Sequence, residues 1–280
     1  MIDTKLLVFG TVHSRIASKE LKTPFETEFF NLAVKWLGSS LKSDFEARNQ
    51  ILLSLRPDAQ AFLKSRLVIK RLSLGQRLYD EGEEVTHAIF PHDGVVSYTA
   101  EMKDGREVGV GCVGREGFVG FTLIMGGGKA ANRSIVHVPG YASWISITDL
   151  DEAIEAFPCV RTAMMSYAKY LITQFASTVA CVSFHTAEQR ISRWLLDAHD
   201  RMVGDTFQVT QASLSEILGL GRPTVNGVCS GLMNSGAILY TRGQLTVSNR
   251  DTLLSHSCEC YARLKKQRQT HVTWSPDTSG

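Results

Sequence analysis

TQASLSEILGLGRPTVNGVCSGLMNS, residues 210–235, reads as two short helices pivoting on a glycine turn. Thr210 stands where a helix is capped, and Leu214, Ile217 and Leu218 recur behind it at helical spacing. The chain then reverses at Gly219-Leu220-Gly221, and a second helix opens with Arg222 and Pro223. Proline suits a first turn because the first amides of a helix have no internal partner. Two such helices make a helix-turn-helix. At the tip of the second, Arg222 has the donors to pair with guanine, Asn226 those for adenine, and Thr224 can meet phosphate or a thymine methyl. Thr210 and Ser213 on the first helix join them as expected DNA contacts.

Downstream, AILYTRGQLTV (237–247) is two alternating runs around Arg242-Gly243, a hairpin with an exposed cation at its tip. A helix-turn-helix followed by such a hairpin is a winged helix, with Arg242 placed to meet phosphate.

The whole chain has 280 residues, 44% of them hydrophobic, which allows two domains with substantial cores. Formal charge is only +2, so affinity for nucleic acid has to come from a local patch. The first residues lack the apolar core of a secretion signal and no run is long enough to span a bilayer, so a soluble cytoplasmic protein without a membrane partner is expected. Six scattered cysteines fit reduced thiols better than a disulfide framework. Cys258-Glu259-Cys260, with His256 nearby, could offer metal ligands, but C-x-C lacks a second pair to complete four. No metal site is therefore assigned, and the cysteines are placed on the packed side of a helix over 250–263.

In chain order, residues 1–40 form an extension with one amphipathic stretch at 25–37, and 45–63 suggest two short helices divided at Pro57. Between 67 and 147 the period changes to short strands separated by turn signals roughly every ten residues, the pattern of a jelly roll. A short helical link over 146–157 leads to a long helix from 160 to about 185. Along it Met164, Ala168, Leu171, Phe175, Thr178 and Val182 follow four-three spacing, while Met165, Ile172 and Val179 fall on a neighbouring face. Two apolar faces need two partners. The chain's own β-roll and a second copy supply them, which predicts a homodimer built on the Met164–Val182 seam. Thr186-Ala187-Glu188-Gln189 is a capping box that opens the next helix, leaving a hinge near His185-Thr186.

This order of parts resembles the Crp/Fnr family of bacterial transcription regulators, over about residues 45–261. The resemblance is carried by GQRLYDEGE (75–83), DGREVGVGCVGREGFVG (104–120), EQRISRWLL (188–196) and LGLGRPTV (218–225). It implies an α+β chain with an N-terminal double-stranded β-helix or jelly roll of the cyclic nucleotide-binding type (41–158), a dimerisation helix (159–185) and a winged helix-turn-helix (186–263), after which the polar, proline-containing composition of 264–280 suggests a flexible tail. It also implies a homodimer on a palindromic operator in double-stranded DNA, with RNA polymerase as a partner.

In cyclic AMP-binding members a Gly-Glu pair holds the ribose and an Arg-Ser pair the cyclic phosphate. Here Gly120, Arg133 and Ser134 match, but Phe121 replaces the glutamate, and the dimer-helix positions that would face the base are Phe175 and Ala176. The resemblance thus outlines a ligand pocket at Gly120, Phe121, Arg133, Ser134 and Phe175 whose signal is not expected to be cyclic AMP. The first cysteine is Cys112, so the N-terminal iron-sulfur ligands of the oxygen-sensing branch are missing, and no motif supports haem at His87 or Cys112. The cofactor is left open. The family's second recognition arginine falls on Gly227, and close approach of another element would account for Gly227 and Gly231 in a helix. A different function, a cyclic-nucleotide receptor module whose winged helix contacts protein, stays open on Arg133 and Ser134. No arrangement for catalysis is found: Gly126-Gly127-Gly128-Lys129 lacks P-loop spacing.

Overall fold

A computed structural model describes residues 48–272; the expectations for residues 1–40 and for the end of the tail lie outside the described residues. The described chain begins with α1 (Gln50–Ser54) and α2 (Pro57–Lys64). Buried Asn49 caps α1, its side chain accepting from the amides of Ile51 and Leu52 and donating to the carbonyls of Pro91 and Gly117. Pro57 occupies the first turn of α2, as the sequence suggests.

Seven strands follow: β1 (Val68–Leu72), β2 (Arg77–Tyr79), β3 (His87–Pro91), β4 (Val95–Glu101), β5 (Glu107–Val113), β6 (Arg133–Val138) and β7 (Gly140–Ser146). They form two antiparallel sheets, ordered β1-β7-β3 and β2-β6-β4-β5, facing each other as a jelly roll. Turn glycines at 75, 82, 94 and 105 have positive φ, which a side chain would strain. Helix α3 (Ile147–Ala156), capped by Ser146, leads into α4 (Pro158–Phe184), a helix of 27 residues. The β-roll core includes Ile89, Val96, Phe118 and Val136, and α4 adds Met164, Tyr167 and Leu171 to it.

Burial corrects the expected dimer seam. Met164, Ala168 and Leu171 are buried within the chain and the partly buried Phe175 packs on the same core, so these positions face inward. The exposed face of α4 lies one residue further round the helix: Met165, Lys169, Ile172, Ala176, Val179 and Ser183, again at four-three spacing. Ile172 is 55% exposed and Val179 69%. Of the residues expected at the seam, Val182 remains exposed and Thr178 is half-buried.

After His185, α5 (Ala187–His199) opens on the predicted capping box, Thr186 and Gln189 bonding reciprocally. Every side chain from Arg190 to Ala198 is buried. A second core then gathers Ile191, Leu195, Phe207, Leu214, Val225 and Leu245 together with Val95, Cys112 and Val138 of the β-roll, so the two halves share an interior. The remaining elements are β8 (Thr206–Gln208), α6 (Gln211–Leu218), α7 (Arg222–Asn234), β9 (Ile238–Thr241), β10 (Gln244–Val247), α8 (Arg250–Ser255) and α9 (Cys260–Val272).

The C-terminal segment differs from the expectation in two ways. The helix expected over 250–263 is broken between Ser255 and Cys260, and the tail expected from 264 is helical as far as Val272. Polarity alone suggested an unfolded tail, yet Leu264 and Arg268 on α9 are buried, Arg268 by pairing with Asp197 and Asp200. Among the described residues no helix is long and apolar enough to cross a membrane.

Candidate nucleic-acid interface

Thr210 caps α6 by accepting from the Ser213 amide at 2.9 Å, and its hydroxyl also meets that of Ser213 at 2.9 Å. Ser213 is buried, and its hydroxyl serves this cap rather than an outer surface, which corrects its place among the DNA contacts. Gly219 ends α6 in the left-handed conformation, φ 59° and ψ 38°, as a C-terminal cap requires of a residue without Cβ. Helix α7 starts at once, with Pro223 in its first turn and no side chain at the N-cap, Gly221. Its inner face is Val225, Cys229 and Leu232, all buried. Arg222, Thr224 and Asn226 are exposed at its N-terminal end. A Cβ added at Gly227 or Gly231 would meet nothing within 4 Å, so no element of this chain approaches them, contrary to the expectation from their helix cost. They leave bare backbone on the outer side of α7.

The wing is a three-stranded sheet in the order β8-β10-β9. Arg242 and Gly243 both have positive φ, 51° and 79°, the two-residue turn whose twist matches paired strands. Among the described residues Arg242 is the one non-glycine with positive φ, and it is exposed. The Tyr240 hydroxyl donates to the Val209 carbonyl at 2.8 Å, fixing the wing to the strand that enters α6.

Two contacts that the sequence did not reveal hold this reading head on the β-roll, and a third, from Arg190, braces it internally. At Gly109 on β5, a Cβ would lie 2.7 Å from the Ile217 carbonyl oxygen, so the end of α6 rests directly on the strand backbone. Arg190 donates to the Leu218 carbonyl. Arg201, just beyond α5, donates from Nε and Nη2 to one oxygen of Glu116 at 2.9 and 2.7 Å, and both residues are 1% exposed. Burial works against the Glu116 charge, but Arg201 and Arg268 hold its carboxyl down to about 2. The available signal was GVGCVGREG (109–117): a Cβ at Gly114 would strike the Arg201 side chain at 2.4 Å, so the recurrent glycine marks where other elements close on β5.

The expected ligand pocket is assembled but differently used. Gly120, Phe121 and Ser134 line one cavity of about 10 Å³, room for about one water. Phe121, Tyr98 and Phe175 meet edge to face with ring centres 5.3 to 6.2 Å apart and fill the adjoining space. Arg133 does not face a phosphate site. Its guanidinium pairs with Asp80 at 2.5 Å, Glu101 at 2.7 Å and Glu107, and its pKa is raised, first by the hydrogen bond to Asp80. Ser134 accepts from the Tyr79 amide at 3.1 Å. Sequence matching preserved the Arg-Ser pair but could not show three carboxylates converging on it.

His256, grouped from sequence with the neighbouring cysteines, pairs instead with Glu188. Among the described residues one group of donors could hold a metal ion, Cys181, His185, Cys258 and Cys260, and it includes none of the exposed recognition residues.

Residues 189–255 match the family model of the Crp-like helix-turn-helix domain. No curated protein matches the chain. Solved structures are similar over the β-roll and winged helix together. FixK2 from Bradyrhizobium japonicum is 15% identical with a TM-score of 0.56, covering 69% of this chain and 98% of its own. The c-di-GMP responsive global regulator CLP of Xanthomonas campestris is 18% identical with a TM-score of 0.54, covering 69% and 100%. A CRP-family transcriptional regulator from Thermus thermophilus is 18% identical with a TM-score of 0.55, covering 67% and 96%. Residues 189–255 thus form a Crp-like helix-turn-helix domain, and the chain shares the fold of these solved regulators.

Proposed function

We propose that the chain works as a cytoplasmic homodimer that grips a palindromic operator with two copies of α7. The observation that carries this reading is the apolar stripe of α4, Met165, Ile172 and Val179, which repeats every seven residues and is left exposed by the described residues. Pairing two such helices buries the stripe, each fully covered side chain contributing about 1.5–3 kcal/mol, and relates two reading heads by a two-fold axis. Half-sites about 34 Å apart, one helical turn of DNA, then face the same side of the duplex. Arg222 and Asn226 read base edges, Thr224 and Arg242 hold the backbone, and bare Gly227 lets α7 sit deep in the groove. The signal that poses α7 is something other than cyclic AMP, a reading supported by the aromatic cluster beside the small cavity and by the three carboxylates that engage Arg133. RNA polymerase is the downstream partner that the family implies.

Selection of bound fragments from genomic DNA, followed by fluorescence anisotropy, tests the reading. Arg222→Ala is expected to cost about 1–3 kcal/mol at the selected site and relax preference at one base pair, whereas Arg242→Ala lowers affinity for all sequences and reduces the salt slope by about one. Ile172→Asp is expected to give a monomer by native mass spectrometry. A dimer that survives Ile172→Asp and Val179→Asp together, or an absence of sequence preference at every salt concentration, contradicts it.

A further inference from the structure

Cys181 lies in the last turn of α4 and His185 is the residue that ends the helix. The break between α8 and α9 brings Cys258 and Cys260 against them. Three sulfurs and one imidazole nitrogen all lie within 4.8 Å of one another. Cys181, Cys258 and Cys260 are at most 4% exposed and form a small buried cluster apart from both main cores, with no aliphatic member. A core made only of thiols gains little from packing, so its composition calls for another reason.

Its dimensions supply one. Cys181 Sγ and Cys258 Sγ are 3.7 Å apart, and Cys260 Sγ lies 3.8 Å from His185 Nδ1. A tetrahedral ion with bonds of about 2.3 Å to sulfur and about 2.0 Å to nitrogen sets its ligands about 3.8 Å apart for S–S and about 3.5 Å for S–N. A two-iron cluster spreads four terminal ligands over two metals and needs a wider cage. The surroundings match as well. His185 Nε2 faces the Glu259 carboxylate at 3.2 Å, an arrangement that fixes the ring with Nδ1 turned to the sulfurs. Three thiolates around a divalent ion leave one net negative charge. Arg263 donates to Cys260 Sγ at 3.8 Å, and buried Arg193 lies within electrostatic reach of Cys181 and Cys258.

We propose that Cys181, His185, Cys258 and Cys260 form a tetrahedral site for a single zinc-like divalent ion. The two ligand pairs bracket α5 to α8 in sequence, so the ion ties the end of the long helix to the far side of the winged helix and closes that domain into one loop across the hinge. The site is independent of the operator reading above, since its ligands include none of the recognition residues.

Co²⁺ titration of the full-length protein, reduced and stripped with chelator, tests the site. The expected result is intense tetrahedral visible absorption with a thiolate-to-cobalt charge-transfer band, saturating at about one ion per chain and bleached by Zn²⁺. Cys258→Ser with Cys260→Ser abolishes the band, Cys229→Ser leaves it, and Glu259→Gln weakens Zn²⁺ binding about tenfold. The unaltered chain decides the matter without any variant: titration giving no charge-transfer band, or only the weak spectrum of oxygen coordination, overturns the proposal. So does anaerobically purified protein that contains a Cys181–Cys258 disulfide and takes up no ion.

Discussion

Replacing Glu116 by glutamine keeps the shape of the side chain and removes its charge, leaving the Arg201 guanidinium in a site where it is 1% exposed. The carboxyl sits at about 2 in the folded chain against an ordinary 4.5, a difference worth about 3 kcal/mol at neutral pH. Removing one member of a buried pair costs about 3–5 kcal/mol by general experience, in agreement with that figure. For a body of this size, about 3 kcal/mol lowers the melting temperature by about 6–12 °C. Because the folded pKa is depressed, the stabilisation is complete above about pH 4.5 and disappears as pH falls toward 2. Parent and Glu116→Gln should therefore differ at pH 7 and converge near pH 2, read by tryptophan fluorescence during thermal and urea unfolding. Glu116→Leu with Arg201→Met should recover most of the loss, since no stranded charge remains. A loss below about 1 kcal/mol for the single variant, or a double variant no better than the single, would refute the view that this pair fastens the β-roll to the DNA-binding half.

His137 is buried, with Nδ1 unpaired among the described residues, and burial lowers its pKa from 6.5 to about 4. The unfolded chain takes up this proton first, so stability falls as pH drops from 6.5 toward 4, by about 2 kcal/mol at pH 5. His137→Leu should remove that part of the difference between unfolding at pH 7 and pH 5; an unchanged difference would count against it. Gly109→Ala would set a methyl 2.7 Å from the Ile217 carbonyl oxygen, backbone that cannot yield cheaply. The expected outcome is a loss of about 1–3 kcal/mol with faster amide exchange in α6, and exchange identical to the parent would contradict the contact.

The winged helix was legible because its information is local. Thr210 as a cap, Gly219 as a stop, Pro223 as a start and Arg242-Gly243 as a turn each act within a few residues, and the structure has all four in those roles. What lay outside the sequence was the choice among equivalent faces. Met164-Ala168-Leu171 and Met165-Ile172-Val179 share one period on α4, and spacing alone cannot say which meets the subunit's own β-roll; only the position of β5 and the core decides. Long-range electrostatics were equally hidden. Arg133 matched a phosphate-binding position, yet Asp80, Glu101 and Glu107 reach it from three separate strands or turns. The cage at the hinge was missed for the same reason: its donors are paired in sequence as Cys181 with His185 and Cys258 with Cys260, and the chain between them spans the whole winged helix.

Gly109 has a bearing on how a signal could travel. Where strand backbone rests on helix backbone, no side chain lies between to change rotamer and absorb a displacement. The β-roll then acts on α6 as a rigid pushrod acts on a lever. A displacement of β5 at this point is passed to the end of α6 with no side-chain rearrangement to take it up.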